Sequence, residues 1–302
     1  MFTLPPNLLQ QALDNALDIV MITSVNYDDP GNNEVLYVNQ AFVEYFGYQP
    51  EEIVGHSPRI LHGSETSVDT RQRIRDAIVN GWPIHTEIVN YTKTGEKRWI
   101  DLKMVPLTDD TGNISHFLFI EREATERKIR EEKLYQDATV DKLTNTFNRH
   151  HTYHLASQIL EHSARYRGTL SAVMLDIDNF KEINDNHGHP TGDKVLQKLT
   201  GILKEQIRKS DVFGRVGGEE FFIMLPESPI SEALVFCERI RNQVATADWH
   251  SLGLDKQVTI SIGVTELFND NLESLIAKTD KALYKAKEAG RNCVIQYQEQ
   301  NS

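Results

Sequence analysis

Along the chain the alternation of apolar and polar positions changes rhythm twice. Over roughly the first 125 residues, short runs at 19–25, 35–39, 86–92, 97–107 and 114–122 alternate or run apolar and predict five strands. Turn signals separate them at Asp28-Asp29-Pro30-Gly31, Thr94-Gly95 and Asp110-Thr111-Gly112, and helical pieces, including 67–80, fall between the second and third strands. From Thr125 to Val140 the alternation stops. Glu126-Arg-Lys-Ile-Arg-Glu-Glu-Lys-Leu134 lacks Gly and Pro and is rich in strong helix formers. Its apolar positions, Ile129, Leu134 and Ala138, keep no single heptad register, so a solvated helix and a coiled-coil arm both fit.

Beyond 140 helical and strand periods interleave. A helix is expected from Tyr153 towards Arg167, a buried strand at 170–177 and a helix from Phe180. Another opens at Thr191-Gly-Asp193 and carries Val195, Leu196, Leu199, Ile202, Leu203 and Ile207 at helical spacing. Apolar runs on either side of Gly217-Gly218 predict a hairpin, in which glycine would supply a positive φ. Ser228-Pro229 reads as N-cap and first residue of a helix reaching Val244. A strand at 257–265 and a helix at 272–289, ended by Gly290, complete the pattern. The order α-β-α-α-β-β-α-β-α predicts an α/β sheet with antiparallel pairs and helices packed on it. The whole is a two-domain α+β chain, divided as 1–124, a helical linker 125–140, and 141–298.

Composition narrows the functional classes. The 302 residues suffice for two cores, with 39% hydrophobic and 25% charged residues. No apolar run approaches a membrane span, and the N-terminus has no basic-then-apolar leader, so a cytoplasmic location is expected. Cys237 and Cys293 lack metal-type spacing and read as buried free thiols. A net charge of −12 argues against sequence-independent nucleic-acid binding and leaves any polyphosphate to local cations and metal.

Two stretches carry chemistry. Asp176-Ile-Asp178 begins where a strand ends, at the rim of a sheet, where a carboxylate is best explained by a cation. Glu219 and Glu220 follow the Gly-Gly step, beside which phosphate and metal can approach the backbone. Oxygen ligands without a His or Cys cluster suit Mg²⁺ or Mn²⁺ held partly by substrate phosphates. The phosphate-loop pattern Gly-x-x-x-x-Gly-Lys-Ser/Thr does not occur.

Gly217-Gly218-Glu219-Glu220-Phe221 resembles the signature of the GGDEF family, the diguanylate cyclases, with Glu in the third position. Asp141-Lys-Leu-Thr-Asn-Thr-Phe-Asn148-Arg149 resembles that family's opening Asp-x-Leu-Thr-Gly-Leu-x-Asn-Arg, with Asn145 and Phe147 in place of Gly and Leu. The resemblance implies a palm-like α/β domain that joins two GTP into cyclic di-GMP. By the same resemblance the Asp176 carboxylate, the Ile177 carbonyl and Glu219 hold the metal, with Glu220 close by as a candidate further ligand; as the local carboxylate, Glu220 is also the candidate to ease a proton from the attacking hydroxyl. Asn184 and Asp193 match the guanine-reading pair, and Lys181, Lys287 and Arg291 the triphosphate cations. Lys287 and Arg291, four apart, are expected on one face at the end of one helix. Arg208-Lys-Ser-Asp211 resembles the family's inhibitory product site. The alternative is a catalytically idle domain that binds GTP or cyclic di-GMP as an effector.

The first segment resembles a PAS domain and, within that class, the LOV subgroup: Asn39-Gln-Ala-Phe, Gly47-Tyr48, Glu51-Glu52-Ile-Val-Gly55, Asn90-Tyr-Thr-Lys-Thr-Gly95 and Trp99 carry the likeness. Pro58, in Gly55-His-Ser-Pro58-Arg59, stands where that subgroup has its photoreactive cysteine. Asp101 and Glu121 replace amides expected to contact flavin, while Arg59, Arg75 and Asn90 match ligand-contacting positions. The resemblance implies a homodimerising sensor, joined through the linker helix to its output. A rival reading makes the chain primarily a flavin-dependent light or redox receptor.

Overall fold

In the computed structural model, which describes residues 5–26, 29, 32–166, 168–268 and 270–299, the two rhythms of the sequence become two units that divide after Glu132. The first runs α1 (Pro6–Asp14), β1 (Ile19–Ser24), β2 (Val35–Val38), α2 (Gln40–Phe46), α3 (Pro50–Ile53), a 3₁₀ turn at Pro58–Leu61, α4 (Val68–Asn80), β3 (Ile84–Tyr91), β4 (Lys97–Thr108) and β5 (Ile114–Glu123). The strands form one antiparallel sheet in the order β2-β1-β5-β4-β3. Of the turn expected at 28–31, all but Asp29 lies outside the described residues. Period-two alternation puts Met21, Ile88, Ile100, Leu102, Met104, Phe117 and Phe119 on the inner face, against Phe42, Phe46, Ile53 and Leu61. Buried Asn39 caps α2 by accepting the Phe42 N–H. It also accepts the Val20 N–H and donates to the Leu13 and Asp18 carbonyls, tying α1 and α2 to β1.

The second unit is entered through α5 (Thr125–Thr139), whose residues straddle the division. It continues β6 (Val140–Asp141), β7 (Thr146–Phe147), α6 (Arg149–Tyr166), β8 (Leu170–Ile177), α7 (Phe180–His187), α8 (His189–Lys204), β9 (Val212–Arg215), β10 (Glu220–Pro226), α9 (Ile230–Thr246), β11 (Ile260–Glu266), α10 (Leu272–Glu288) and β12 (Val294–Gln296). The sheet order is β12-β11-β8-β10-β9-β7-β6. Strand β8 lies inside it with every residue buried, which is why its sequence runs apolar instead of alternating. On one face Val173, Leu175 and Ile177 pack with α8 and α9; on the other, Ala172 and Met174 pack with α6 and α10.

Several boundaries differ from expectation. Strands β6, β7 and β12 are additional, each two or three residues long. Helix α8 starts at His189, with Pro190 filling its first turn. The N-cap of α9 is Pro229, because the Ser228 hydroxyl donates to the Pro226 carbonyl instead. Arg167, the expected end of α6, lies outside the described residues. Cys237 is buried on α9, but Cys293 is only half-buried, and both are free thiols. Among the described residues no helix is long and apolar enough to cross a membrane.

Candidate active site

Register builds the site. Antiparallel pairing of β8 with β10 sets Glu220 opposite Asp176, and pairing with β11 sets Ser261 on the other side of Asp176. The turn between β9 and β10 folds back so that the Val216 and Gly217 N–H groups donate to the Glu220 carbonyl, at 2.9 and 3.3 Å. Its last carbonyl, that of Glu219, accepts the Ile177 N–H at 3.4 Å. Glu219, Glu220, Asp176 and Ile177 therefore meet at one end of the sheet.

The glycines of the turn act differently from expectation: neither Gly217 nor Gly218 has a positive φ. A Cβ on Gly217 would lie 2.3 Å from the Glu220 carboxylate, whereas one on Gly218 would meet nothing within 4 Å. Gly217 leaves room for a carboxylate, and Gly218 leaves an open approach to the backbone.

Two residues of the 141–149 motif brace this turn. Arg215 donates twice to the Gly218 carbonyl, at 3.0 and 2.6 Å, and pairs with Asp141 at 3.2 Å. Arg149 donates to the Val216 carbonyl at 3.1 Å. Asn148 donates to the Ala138 and Thr139 carbonyls and its Oδ1 accepts the His151 N–H, so it ties the end of α5 to the start of α6. The motif is legible in sequence, but its bracing role depends on contacts from distant strands.

Asp176 is 4% exposed, and burial above all pushes its carboxyl up to about 6, with Glu219 and Glu220 adding to the rise and Lys287 opposing it. The Lys287 ammonium lies 2.8 Å from this carboxylate. In this structure Lys287 therefore supplies the positive charge that Asp176 needs. Lys287 and Arg291 do not share a helix face, correcting the spacing argument. Helix α10 stops at Glu288, and Gly290, Arg291 and Asn292 turn back with φ of 109°, 67° and 44°. Arg291 is exposed on that turn.

Helices α7 and α8 are hinged at Gly188, whose φ is 81°. Buried Gly192 lets α8 close on half-buried Asn184; a Cβ there would sit 2.0 Å from the Asn184 Oδ1. Asp193, the next residue of α8, is exposed, as is Lys181, one turn before Asn184 on α7.

A second cavity, of about 460 Å³, lies between the loop after α8 and α9. Arg208 and Asp211 line it, and so does Arg239, which sequence reading missed for want of any local spacing signal. The Asp211 carboxylate accepts the Arg208 backbone N–H at 2.8 Å and is raised by burial.

In the first unit a cavity of about 450 Å³ separates the sheet from α4 and the 3₁₀ turn. Its walls include Met21, Ile74, Ile88, Leu102 and Phe119, and Pro58, Arg59 and Arg75 also border it. Thr23 Oγ1, Asn33 Nδ2, Asn90 Oδ1 and Glu121 Oε2 belong to lining residues, yet are buried without a hydrogen-bond partner. Burial alone pushes the Glu121 carboxyl up to about 7. Burial, then Arg71 and Arg59, holds the lining His62 down at about 4. Asp101, expected beside a ligand, does not line the cavity: Ile100 and Leu102 take the inner face of β4, and Asp101 pairs instead with His85 at 2.5 Å.

Sequence comparison agrees with the architecture. The profile for "Diguanylate cyclase, GGDEF domain" matches residues 138–293, and that for a PAS domain matches residues 18–126. Diguanylate cyclase A of Treponema denticola is 39% identical over 175 residues, covering 55% of this chain and 46% of that protein. DgcM of Escherichia coli is 38% identical over 179 residues, covering 59% of this chain and 43% of its own. The chain thus spans less than half the length of these two relatives. Among solved structures, the coiled coil and GGDEF domain of DgcB from Caulobacter crescentus, in complex with c-di-GMP, superposes with a TM-score of 0.53 at 29% identity. It covers 57% of this chain and 94% of that one. Matched by that profile over more than half its length, the chain belongs to the GGDEF diguanylate cyclase family and carries an N-terminal PAS domain.

Proposed function

We propose that this protein is a diguanylate cyclase that condenses two GTP into cyclic di-GMP and two pyrophosphates. The observation that carries this reading is the meeting of Asp176 and Glu220, opposed across β8 and β10, with Glu219 and the Ile177 backbone at one sheet end beside Lys287. Among the described residues no three His, Cys, Asp or Glu side chains cluster as a metal cage. An incomplete, oxygen-only set around a buried carboxyl fits Mg²⁺ or Mn²⁺ shared with substrate phosphates. Asp176, the Ile177 carbonyl and Glu219 would hold it, and once bound it would draw charge from the α-phosphate.

The residues of this chain do the rest. Asn184 and Asp193 offer an amide and a carboxylate to guanine, whose O6 accepts while N1 and N2 donate. Lys181, Arg291 and a released Lys287 neutralise the triphosphate, and Gly218, open on its Cβ side, lets it approach the turn, while Gly217 makes room for Glu220. Glu220 takes the proton from the ribose 3′-hydroxyl as that oxygen attacks the α-phosphate of the opposite nucleotide. Pyrophosphate leaves. Because each subunit holds one GTP, two subunits must face one another, and exposed Ile129, Leu134 and Tyr135 on α5 suit a helical pairing of copies. The cavity holding Arg208, Asp211 and Arg239 suits cyclic di-GMP as a feedback inhibitor.

The PAS cavity is read as the sensor. Four unpartnered polar atoms around apolar walls favour a small molecule with hydrogen-bonding groups at its buried end, and flavin is one candidate. Mass analysis of ligand released from freshly purified protein tests this, and an absorption spectrum tests for flavin.

The cyclase reading is tested by chromatography of GTP and Mg²⁺ incubated with purified protein. Cyclic di-GMP should form, and Asp176→Ala or Glu219→Ala should abolish it while leaving the fold intact. Saturable GTP binding without product would instead favour the idle effector domain.

A further inference from the structure

Asp178, two residues after Asp176, has no role in the site as described. It is 5% exposed, and its carboxylate is occupied by the protein itself. Oδ1 accepts the Ser261 hydroxyl at 2.6 Å, and Oδ2 accepts the Thr259 hydroxyl at 2.7 Å and the Asn292 backbone N–H at 3.0 Å. The Asp178 N–H in turn donates to the Thr259 carbonyl at 2.9 Å. Asn292 is the last of three consecutive positive-φ residues, Gly290 to Asn292, and its side chain accepts Arg241 of α9 at 2.8 Å. At the near end of the turn the Arg291 N–H donates to the Ala286 carbonyl at 3.1 Å.

Non-glycine residues rarely adopt this conformation, so two in succession persist only where the surroundings fix them. The fixing contacts fall on either side of Arg291: Ala286 before it, Asp178 and Arg241 after it. We infer that Asp178 is a positioning residue for Arg291, holding the 290–292 turn so that the guanidinium is presented to the triphosphate. It is not a further metal carboxylate. This rests on the assignment of Arg291 as a triphosphate cation made above.

The test measures binding to the full chain, by calorimetry with Mg²⁺, of 3′-deoxy-GTP, which lacks the attacking hydroxyl, and of guanosine, which lacks the phosphates. Asp178→Ala should weaken 3′-deoxy-GTP about tenfold, as expected for misplacing one charge-assisted contact, and leave guanosine unchanged. Asp178→Asn should bind nearly as wild type, because its amide oxygen can still accept from Asn292 and Thr259 while its NH₂ donates to Ser261. A metal carboxylate would not tolerate that change. Arg291→Ala should weaken 3′-deoxy-GTP, and adding Asp178→Ala should cost nothing more. Should Asp178→Ala not fold, Arg241→Met severs the same turn from the α9 side and should selectively weaken 3′-deoxy-GTP.

Equal loss of guanosine and 3′-deoxy-GTP, additivity with Arg291→Ala, or an Asn variant as impaired as Ala would each overturn the inference. If Arg291→Ala binds normally, the triphosphate assignment fails and the inference fails with it. If Arg291→Ala is weak and Asp178→Ala and Arg241→Met are not, the inference alone fails.

Discussion

Gly217 and Gly263 are small for different reasons, and alanine should separate them. A Cβ on Gly263, in β11, would lie 2.3 Å from both the Leu283 nitrogen and the Thr279 carbonyl oxygen of α10, backbone atoms that cannot turn aside. Gly263→Ala should therefore destabilise the cyclase domain by about 1–3 kcal/mol, visible as a lower melting temperature. A Cβ on Gly217 meets the end of the Glu220 side chain, which can swing away. Gly217→Ala should melt almost normally and lose cyclase activity, since the displaced group is the proposed proton acceptor. Glu121 supplies a third test. Its folded value of about 7 lies above the 4.5 of an ordinary glutamate, so between those values the folded chain binds more protons than the unfolded one. Stability is thus lost as pH rises through this window, on the order of 3 kcal/mol in full above it. Glu121→Gln should flatten the pH dependence of PAS-domain melting between pH 5 and 8 and raise stability at pH 8; an unchanged slope would refute the assignment. Motif residues such as Asp176 and Glu219 were legible because their order and spacing are local. The bracing by Arg215, the counter-charge from Lys287 and the anchor at Asp178 were not, because each joins residues far apart in sequence.

At the scale of elements, those with a long period were legible and those without one were not. The buried run of β8 and the amphipathic α8, α9 and α10 follow the sequence pattern. Strands β6, β7 and β12 are too short to show any period and exist only because a neighbouring strand offers free backbone groups. The linker shows the same limit. One heptad register would place Leu134 and Asp141 at d with Ala138 at a, another Ile129 and Leu143 at d with Val140 at a, yet α5 ends at Thr139. Ile129, Leu134, Tyr135 and Ala138, all exposed, remain as seam candidates on the helix. If the phase of this helix sets how two catalytic domains align, four residues inserted between Glu131 and Glu132 should rotate the output by about 40°, and seven by only about 20°. Basal activity should change more for four than for seven. Equal, unaltered activity in both, with dimers confirmed by light scattering, would make the linker a tether.

At the scale of the molecule, the proposed catalytic carboxylates and the Arg208 and Asp211 side chains that line the second cavity lie on different segments, so activity and the proposed feedback should be separable. Arg208→Ala should yield an enzyme that no longer slows as cyclic di-GMP accumulates, and Arg208→Lys should not fully restore inhibition, because lysine lacks the planar fork that grips phosphate or guanine. Progress curves with added cyclic di-GMP measure this, and unchanged inhibition would refute the assignment. The PAS cavity has a consequence of another kind. Four buried polar atoms without partners there each weaken the fold, by about 1–3 kcal/mol apiece. A molecule that satisfies them stabilises the native state by mass action, about 2.7 kcal/mol at a hundredfold excess over its dissociation constant. Cellular proteases act on the unfolded fraction. A cell rich in that molecule should then keep more copies of the protein, so the signal would be recorded in abundance over hours as well as in turnover over seconds.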